Sequence, residues 1–548
     1  ILSTLEKSQE DQALYEAGAD LRIQHDARVR VASGQSPANQ LAALPGISAV
    51  SDVFRFGTRA STKSFGEDVM LLGVDTDALP NVAWTRSDLS NGPLDQMLGL
   101  LNFDAPDTEG IVLPHDTTAL GLWVMPGRIS RGPYLFGRLQ DNRGIYFNIM
   151  LGELEGTDWY YMEAPIIPIQ LSRSRNAPPP PVVEPPYTLR TLWFASPRRG
   201  STIGTVFMDQ LMAITPRDGK DVFRFEIESF QNVDNWHPLE DPMAEGFYSL
   251  GISESVTRNH RRSAVFQWGR GGQATRGIRA GSPQAPLPTL VSPNFLSGSD
   301  MEIGDEFSVS LGDIHAPLRI VGVTSYFPTL YPDEIPFLLV ELDPVFDYIA
   351  LHDIRPSYPS TEIWAKMDGS SVSPEIILAT LRGNTPPDIT QASELVAERV
   401  SDPLLTAGWS GLMALSFIAV VLASASGLLL YTYIDTREHV GEFAILRTLG
   451  FTTIQVNAVV WFNLTLTVFL GMILGTWGGQ LLGSAILPLL EVAEGGQAVT
   501  PPMALQTNWT ALIIAYALFV ATTLVTIVAL AWAISKLEVQ KILRVAEA

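Results

Sequence analysis

Three long uncharged runs dominate the C-terminal part of the chain. No Asp, Glu, Lys or Arg occurs from Pro403 to Ile434, from Thr448 to Leu490, or from Gln506 to Ser535. Each exceeds the roughly 20 residues that cross a bilayer core, so the pattern predicts three membrane-spanning helices. A charged stretch, Asp435 to Phe451, separates the first two. Ahead of Pro403 no apolar run is long enough to span, and the pattern changes to short alternating segments. Phe307–Leu311, Leu318–Val323 and Phe337–Leu342 read as strands. So do Leu120–Val124, Tyr134–Leu139, Tyr146–Met150, Leu192–Phe194 and Gly204–Asp209, spaced by turn residues. This second group, within 111–270, predicts an inserted antiparallel β-sandwich of jelly-roll type, with a stiff proline connection around Pro185 and Pro186. Two helix–strand pairs, Ser36–Val53 with a turn at Leu44–Gly46 and Thr361–Gln391, bracket the block and predict a small α/β lobe built from both ends.

The predicted fold class is an α+β membrane protein. Its large domain combines an α/β lobe, a β-rich lobe and the inserted sandwich. The segments are 1–110 (first part of the lobe), 111–270 (sandwich), 271–400 (β-rich lobe and return), 401–435 (span), 436–452 (surface helix), 453–485 (span), 486–506 (outer loop), 507–535 (span) and 536–548 (tail). The chain opens on Ile1 without a signal peptide, and a fourth span upstream is expected.

Charge orients this arrangement. The 548 residues carry a formal net charge of −22, which excludes a nucleic-acid partner and flat adsorption on anionic lipid. The basic residues beyond Asp402 are Arg437, Arg447, Lys536, Lys541 and Arg544; the loop near Glu491 and Glu494 has none. The bias of short loops toward Lys and Arg on the inner side places 436–452 and the tail in the cytoplasm and the large domain outside. The expected location is a bacterial inner (cell) membrane, multi-pass; an inverted topology is the alternative.

Candidate chemistry is sparse. No cysteine is present, which excludes disulfides and thiolate metal sites. No phosphate loop, metalloprotease helix or nucleophile elbow occurs, and the histidines are scattered, so neither an enzyme site nor a cofactor or metal is expected. No ionisable residue sits in the middle of a span, which argues against an ion-coupled transporter. Gly471, Gly475, Gly479 and Gly483 recur every four residues, the spacing of a tight helix-packing face in lipid. Glu438–Leu449 is helix-compatible with Gly450 as its stop: either an interfacial anchor or a docking element. Trp159 and Tyr161 are candidates for stacking on a sugar ring or, alternatively, for filling the sandwich core. Arg258–Arg262 with Arg270, Arg276 and Arg279 reads as a solvated basic loop paired with carboxylates.

Arg437 and Glu438, followed by Gly441 through Phe451, resemble the coupling loop of the FtsX/MacB-like (type VII, mechanotransmission) ABC permeases. The order span, surface helix, span, outer loop, span, tail resembles theirs as well, over 400–548. Gly304, Asp305 and Gly322 in the β segments resemble that family's upper lobe. The resemblance implies a permease subunit that couples ATP hydrolysis by a separate cytoplasmic ABC ATPase subunit to movement of the outer domain, for export or mechanotransmission. Arg437, Glu438, Glu442, Arg447 and Gly450 would form the ATPase contact. Further implied partners are a second permease copy or pseudo-repeat, membrane lipid, and a glycan or lipoprotein outside. A different class remains open: a membrane-anchored extracytoplasmic glycan-binding or scaffolding protein.

Overall fold

The computed structural model describes residues 2–25, 37–63, 66–89, 92–102, 110–129, 132–169, 171, 180–195, 203–216, 222–243, 247–259, 261–269, 276–353, 360–369, 376–378, 386–400, 403–490 and 499–535. The tail with Lys536, Lys541 and Arg544, residues 491–498, Arg270 and His260 lie outside the described residues. The chain forms two compact units, Leu14–Ala392 and, separately, Ile1–Ala13 with Ser393–Ala548.

In the larger unit, β1 (Leu21–Gln24), β2 (Ile47–Ser61) and β3 (Gly66–Val74) precede the sandwich. The sandwich holds β4 (Ile111–Val112), β5 (Ala119–Pro126), β6 (Tyr134–Gln140), β7 (Tyr146–Glu153), β8 (Tyr160–Pro165), β9 (Thr188–Ala195), β10 (Gly204–Pro216), β11 (Val222–Glu228), β12 (Trp236–Pro238), β13 (Tyr248–Ser253), β14 (Ser263–Trp268) and β15 (Arg276–Ala280). There follow β16 (Leu287–Val291), β17 (Glu306–Leu311), β18 (Ile314–Val323), β19 (Phe337–Glu341), β20 (Glu362–Met367) and β21 (Asp388–Gln391). The helices, numbered through both units, are α1 (Leu2–Ala17), α2 (Pro37–Ala42), α3 (Leu94–Leu98), α4 (Pro293–Ser299), α5 (Leu342–His352), α6 (Ala392–Val400), α7 (Pro403–Glu438), α8 (Val440–Thr448), α9 (Thr453–Leu490) and α10 (Trp509–Ser535).

The length of β2 shapes the lobe. At about 3.3 Å per residue its 15 residues extend about 50 Å, enough to serve two sheets. Its first part pairs with β20, in a four-stranded sheet ordered β2-β20-β1-β21. Its second part pairs with β3, and the ladder runs on through β19, β16, β18 and β17. There β17 returns to β2, through Ser308 opposite Ser61 and Val309 opposite Ala60. Six strands thus close a barrel, which leaves that sheet no free edge. Phe54, Leu71, Val309, Leu318, Leu338 and Val340 belong to its buried core. The turn expected at Leu44–Gly46 lies between α2 and β2, with Gly46 at φ +97°, a conformation glycine adopts without strain. Arg55 and Trp364 both donate to buried Glu362 (2.6 and 2.9 Å). Burial pushes this carboxyl up, but Arg55 and Trp364 outweigh it and hold it below the usual range.

The sandwich has one sheet ordered β13-β14-β10-β5-β8, with β11 beside β10, and another ordered β12-β15-β9-β6-β7, with β4 beside β9. Alternation explains its core: Leu120, Leu122 and Val124 from β5 point inward to meet Leu192 and Phe194 from β9. The second sheet takes β15 from beyond residue 270.

The outer face of the second sheet is not free. Arg138, fully buried, donates to Asn148 Oδ1 (3.0 Å) and to the carbonyl of Ala350 near the end of α5. Trp193, whose ring lies beside that guanidinium, donates to the same Asn148 oxygen (3.1 Å). Tyr146 donates to Asp347 Oδ1 (2.9 Å), and His315 meets Asp241 (3.1 Å). These bonds seat the sandwich on α5 and, through His315, on β18. Burial lowers Arg138 to about 10 and Arg279 to about 10, and pushes Asp347 up. Arg279 therefore departs from the expected solvated loop: it lies buried in β15, held by the carbonyl of Ser282. Arg262 does pair with Glu254 (2.8 Å) at the surface.

Candidate functional site

The smaller unit contains the three spans. Ala414–Ile434, Ile454–Leu487 and Trp509–Val528 are long and apolar enough to cross a membrane. Their side chains stay largely uncovered by protein, as a lipid-facing surface requires. The second and third spans are joined by a hydrogen bond between Thr476 and Tyr516. At the end of α9 remote from α8, Thr4 and Leu5 of α1 share a small apolar cleft with Gly483, Ile486, Leu487, Met503 and Leu505. Gln506 there accepts from Ser3 (3.2 Å) and Thr4, and its backbone N–H donates to Thr4 Oγ1 (3.2 Å). Arg399 of α6 donates to Gln12 of α1 (3.1 Å), so the two chain segments entering this unit are tied together.

Within the described chain the glycine series is open along most of its length and covered at Gly483. A Cβ at Gly471, Gly475 or Gly479 would meet no atom within 4 Å, and one at Gly483 would meet Leu505 Cδ1 at 3.3 Å.

At the opposite end, α7 stops at Glu438, the chain turns at His439, and α8 begins at Val440. The single helix expected over Glu438–Leu449 is therefore shorter, and Glu438 closes the preceding span instead. Gly441, a poor helix former, sits just past this turn. Helix α8 ends in a Schellman arrangement: Gly450 has φ +97°, and the N–H of Phe451 reaches back to the carbonyl of Leu446 (3.1 Å). Thr452 and Gln455 then form a capping box for α9: Thr452 N–H donates to Gln455 Oε1 (2.9 Å) and Gln455 N–H to Thr452 Oγ1 (3.4 Å). Two capped ends in consecutive residues leave no slack between α8 and the second span.

Arg437, Glu438 and Glu442 are exposed; Arg447 lies on α8, its side chain outside the described set. Apolar residues of the same segment stand beside them. Ile445 and Leu449 are 61% and 71% exposed, although Leu446 is half-buried. At 100° per residue, Glu442, Ile445 and Leu449 share one side of α8, an apolar strip flanked by a carboxylate. The i, i+3, i+7 spacing was visible in the sequence; which side it would face was not.

Tyr161 of β8 lies on the outer face of the first sheet, and half-buried Trp159 just precedes that strand. Tyr161 packs against Trp123 (5.2 Å between centroids), its hydroxyl lying over Gly121, where a Cβ would come within 1.8 Å. Arg258 stacks on Trp123 at 3.2 Å and donates to Gln210 (2.6 Å), so that ring is covered by the chain itself. Among the described residues no group of His, Asp or Glu is arranged to hold a metal.

Three lipid-length helices, with a short capped helix between the first two and a large β-rich domain ahead of them in the chain, define a polytopic membrane protein. Residues 414–539 match the family model of the FtsX-like permease C-terminal domain. A search of curated proteins returned no significant match.

Proposed function

We propose that the chain is the permease subunit of an ABC system of the FtsX/MacB type. A separate ATPase subunit seats on α8, and its closure moves α8 and α9 as one piece. The movement leaves the bundle at its far end, through the α1 and α6 segments tied by Arg399 and Gln12, and reaches an extracytoplasmic domain. ATP is hydrolysed on the partner, and the orientation follows the basic residues of the α8 turn. The work is export or mechanotransmission, and the open glycine face of α9 receives a second permease copy or pseudo-repeat.

The observation that carries this reading is the FtsX-like match across 414–539 together with the exposed Glu442, Ile445 and Leu449 on a helix rigidly capped to a span. An apolar strip of this kind is a helix-in-groove recognition surface. Leu449→Asp and Glu442→Arg in the full chain are expected to abolish co-purification with, and stimulation of, the ATPase subunit. Wild-type stimulation by both variants would overturn the proposal.

A further inference from the structure

Strand β11 is the least protected strand of the sandwich. It pairs with β10, and among the described residues nothing pairs with its other edge. Val222 to Glu226 are all exposed, including Val222 (47%), Phe223 (45%) and Phe225 (45%). Phe223 and Phe225 pack edge to face with centroids 4.2 Å apart, on the side where Ile227 packs against the sandwich core. Arg224 and Glu226 project from the opposite side, where Arg224 reaches Glu163 (3.1 Å) and Glu226 accepts from Gln210 (2.7 Å). Its ladder with β10 is regular from Val222 to Glu226 and slips at Ile227, and the two charges within the regular stretch, Arg224 and Glu226, are of opposite sign.

We infer that this edge is an interface to a second copy of the same chain, formed by antiparallel β11–β11 pairing about Phe225. The sequence of the strand is self-complementary in that register. A two-fold axis perpendicular to the sheet keeps each side chain on its own face, so the pairing centre must fall on a residue. Centred on Phe225, Arg224 opposes Glu226 of the other copy twice, Phe223 opposes Ile227, and Phe225 opposes itself. Centred on Arg224 or Glu226, like charges would oppose each other. Opposite charges and apolar pairs directly across strands stabilise, and like charges destabilise. The apolar side of both strands then forms one continuous strip, and the interface closes on itself as a two-fold contact must. This inference is independent of the ATPase reading, because it places no demand on α8.

The absence of cysteine from the chain makes the register directly testable. Directly opposed residues in antiparallel strands have Cα atoms about 4.5–5.5 Å apart, within disulfide reach of about 4.4–6.8 Å. Residues 223 and 227 would each stand about 13 Å from their own copies. Single cysteines are placed at 223, 225 and 227, and at exposed Val182 as a control, in the full chain in lipid nanodiscs or native membranes under mild oxidant. Phe225→Cys is expected to form covalent dimers at least several-fold above Val182→Cys, with Phe223→Cys and Ile227→Cys below it. Arg224→Glu in the Phe225→Cys background should lower the yield, and adding Glu226→Arg should restore it. A yield at 225 no greater than at 182, a maximum at 223 or 227, or no restoration by the charge swap would overturn the proposal.

Discussion

At His352 the structure reverses what an exposed histidine would do. The ring is fully buried at the end of α5, stacked on Tyr348 at 4.1 Å, with Nδ1 3.0 Å from the Tyr348 carbonyl. Burial, with Arg279 and Arg138 adding to it, lowers its pKa from 6.5 to about 3. Between those values the unfolded chain holds a proton that the folded chain does not. The larger unit therefore loses stability as pH falls from 6.5 toward 3, by up to about 1.4 kcal/mol per pH unit from this one residue. His352→Gln removes that slope. Its acid-unfolding midpoint, followed by tryptophan fluorescence, is expected at lower pH than that of the wild type, and an unchanged midpoint would exclude the mechanism. Arg138 and Arg279 teach the same lesson: counted in the sequence they look like surface cations, yet the fold places both under α5.

Among the elements, the α8 turn is where the proposed ATPase docking depends on backbone chemistry. Gly450 at φ +97° permits the Schellman stop, and an alanine there costs about 1–2 kcal/mol in left-handed strain. Gly450→Ala is expected to leave the ATPase bound but reduce its stimulation, because α8 is reset relative to α9. Stimulation at the wild-type level in reconstituted complexes would show that the turn carries no force. This element was largely legible beforehand: the charged gap between apolar runs, the glycine stop and the family resemblance all fell on it. The break at His439 and the outward side of Ile445 and Leu449 were not, because a short helix has no sequence signal for which neighbour it lacks.

For the molecule as a whole, the buried polar seat between sandwich and barrel predicts that residues 14–392 unfold as one cooperative body. In calorimetry of the full chain the sandwich and barrel should share one transition. Arg138→Met, which removes donors to Asn148 and Ala350, should lower it and split it in two. Separate transitions already in the wild type would contradict a rigid seat.

What the sequence determined by itself follows from local periodicity and composition. Three uncharged runs must lie in lipid, alternating segments must be half-buried strands, and a chain without cysteine has no disulfide to hold it. Tertiary structure decided what depends on distant partners. One long strand closes a barrel with β17, some 250 residues away, α5 covers the outer face of the second sandwich sheet, and Arg279, read from the sequence as solvated, is buried in β15. Periodicity reports which side of an element avoids water, and only the assembled fold says what stands on the other side.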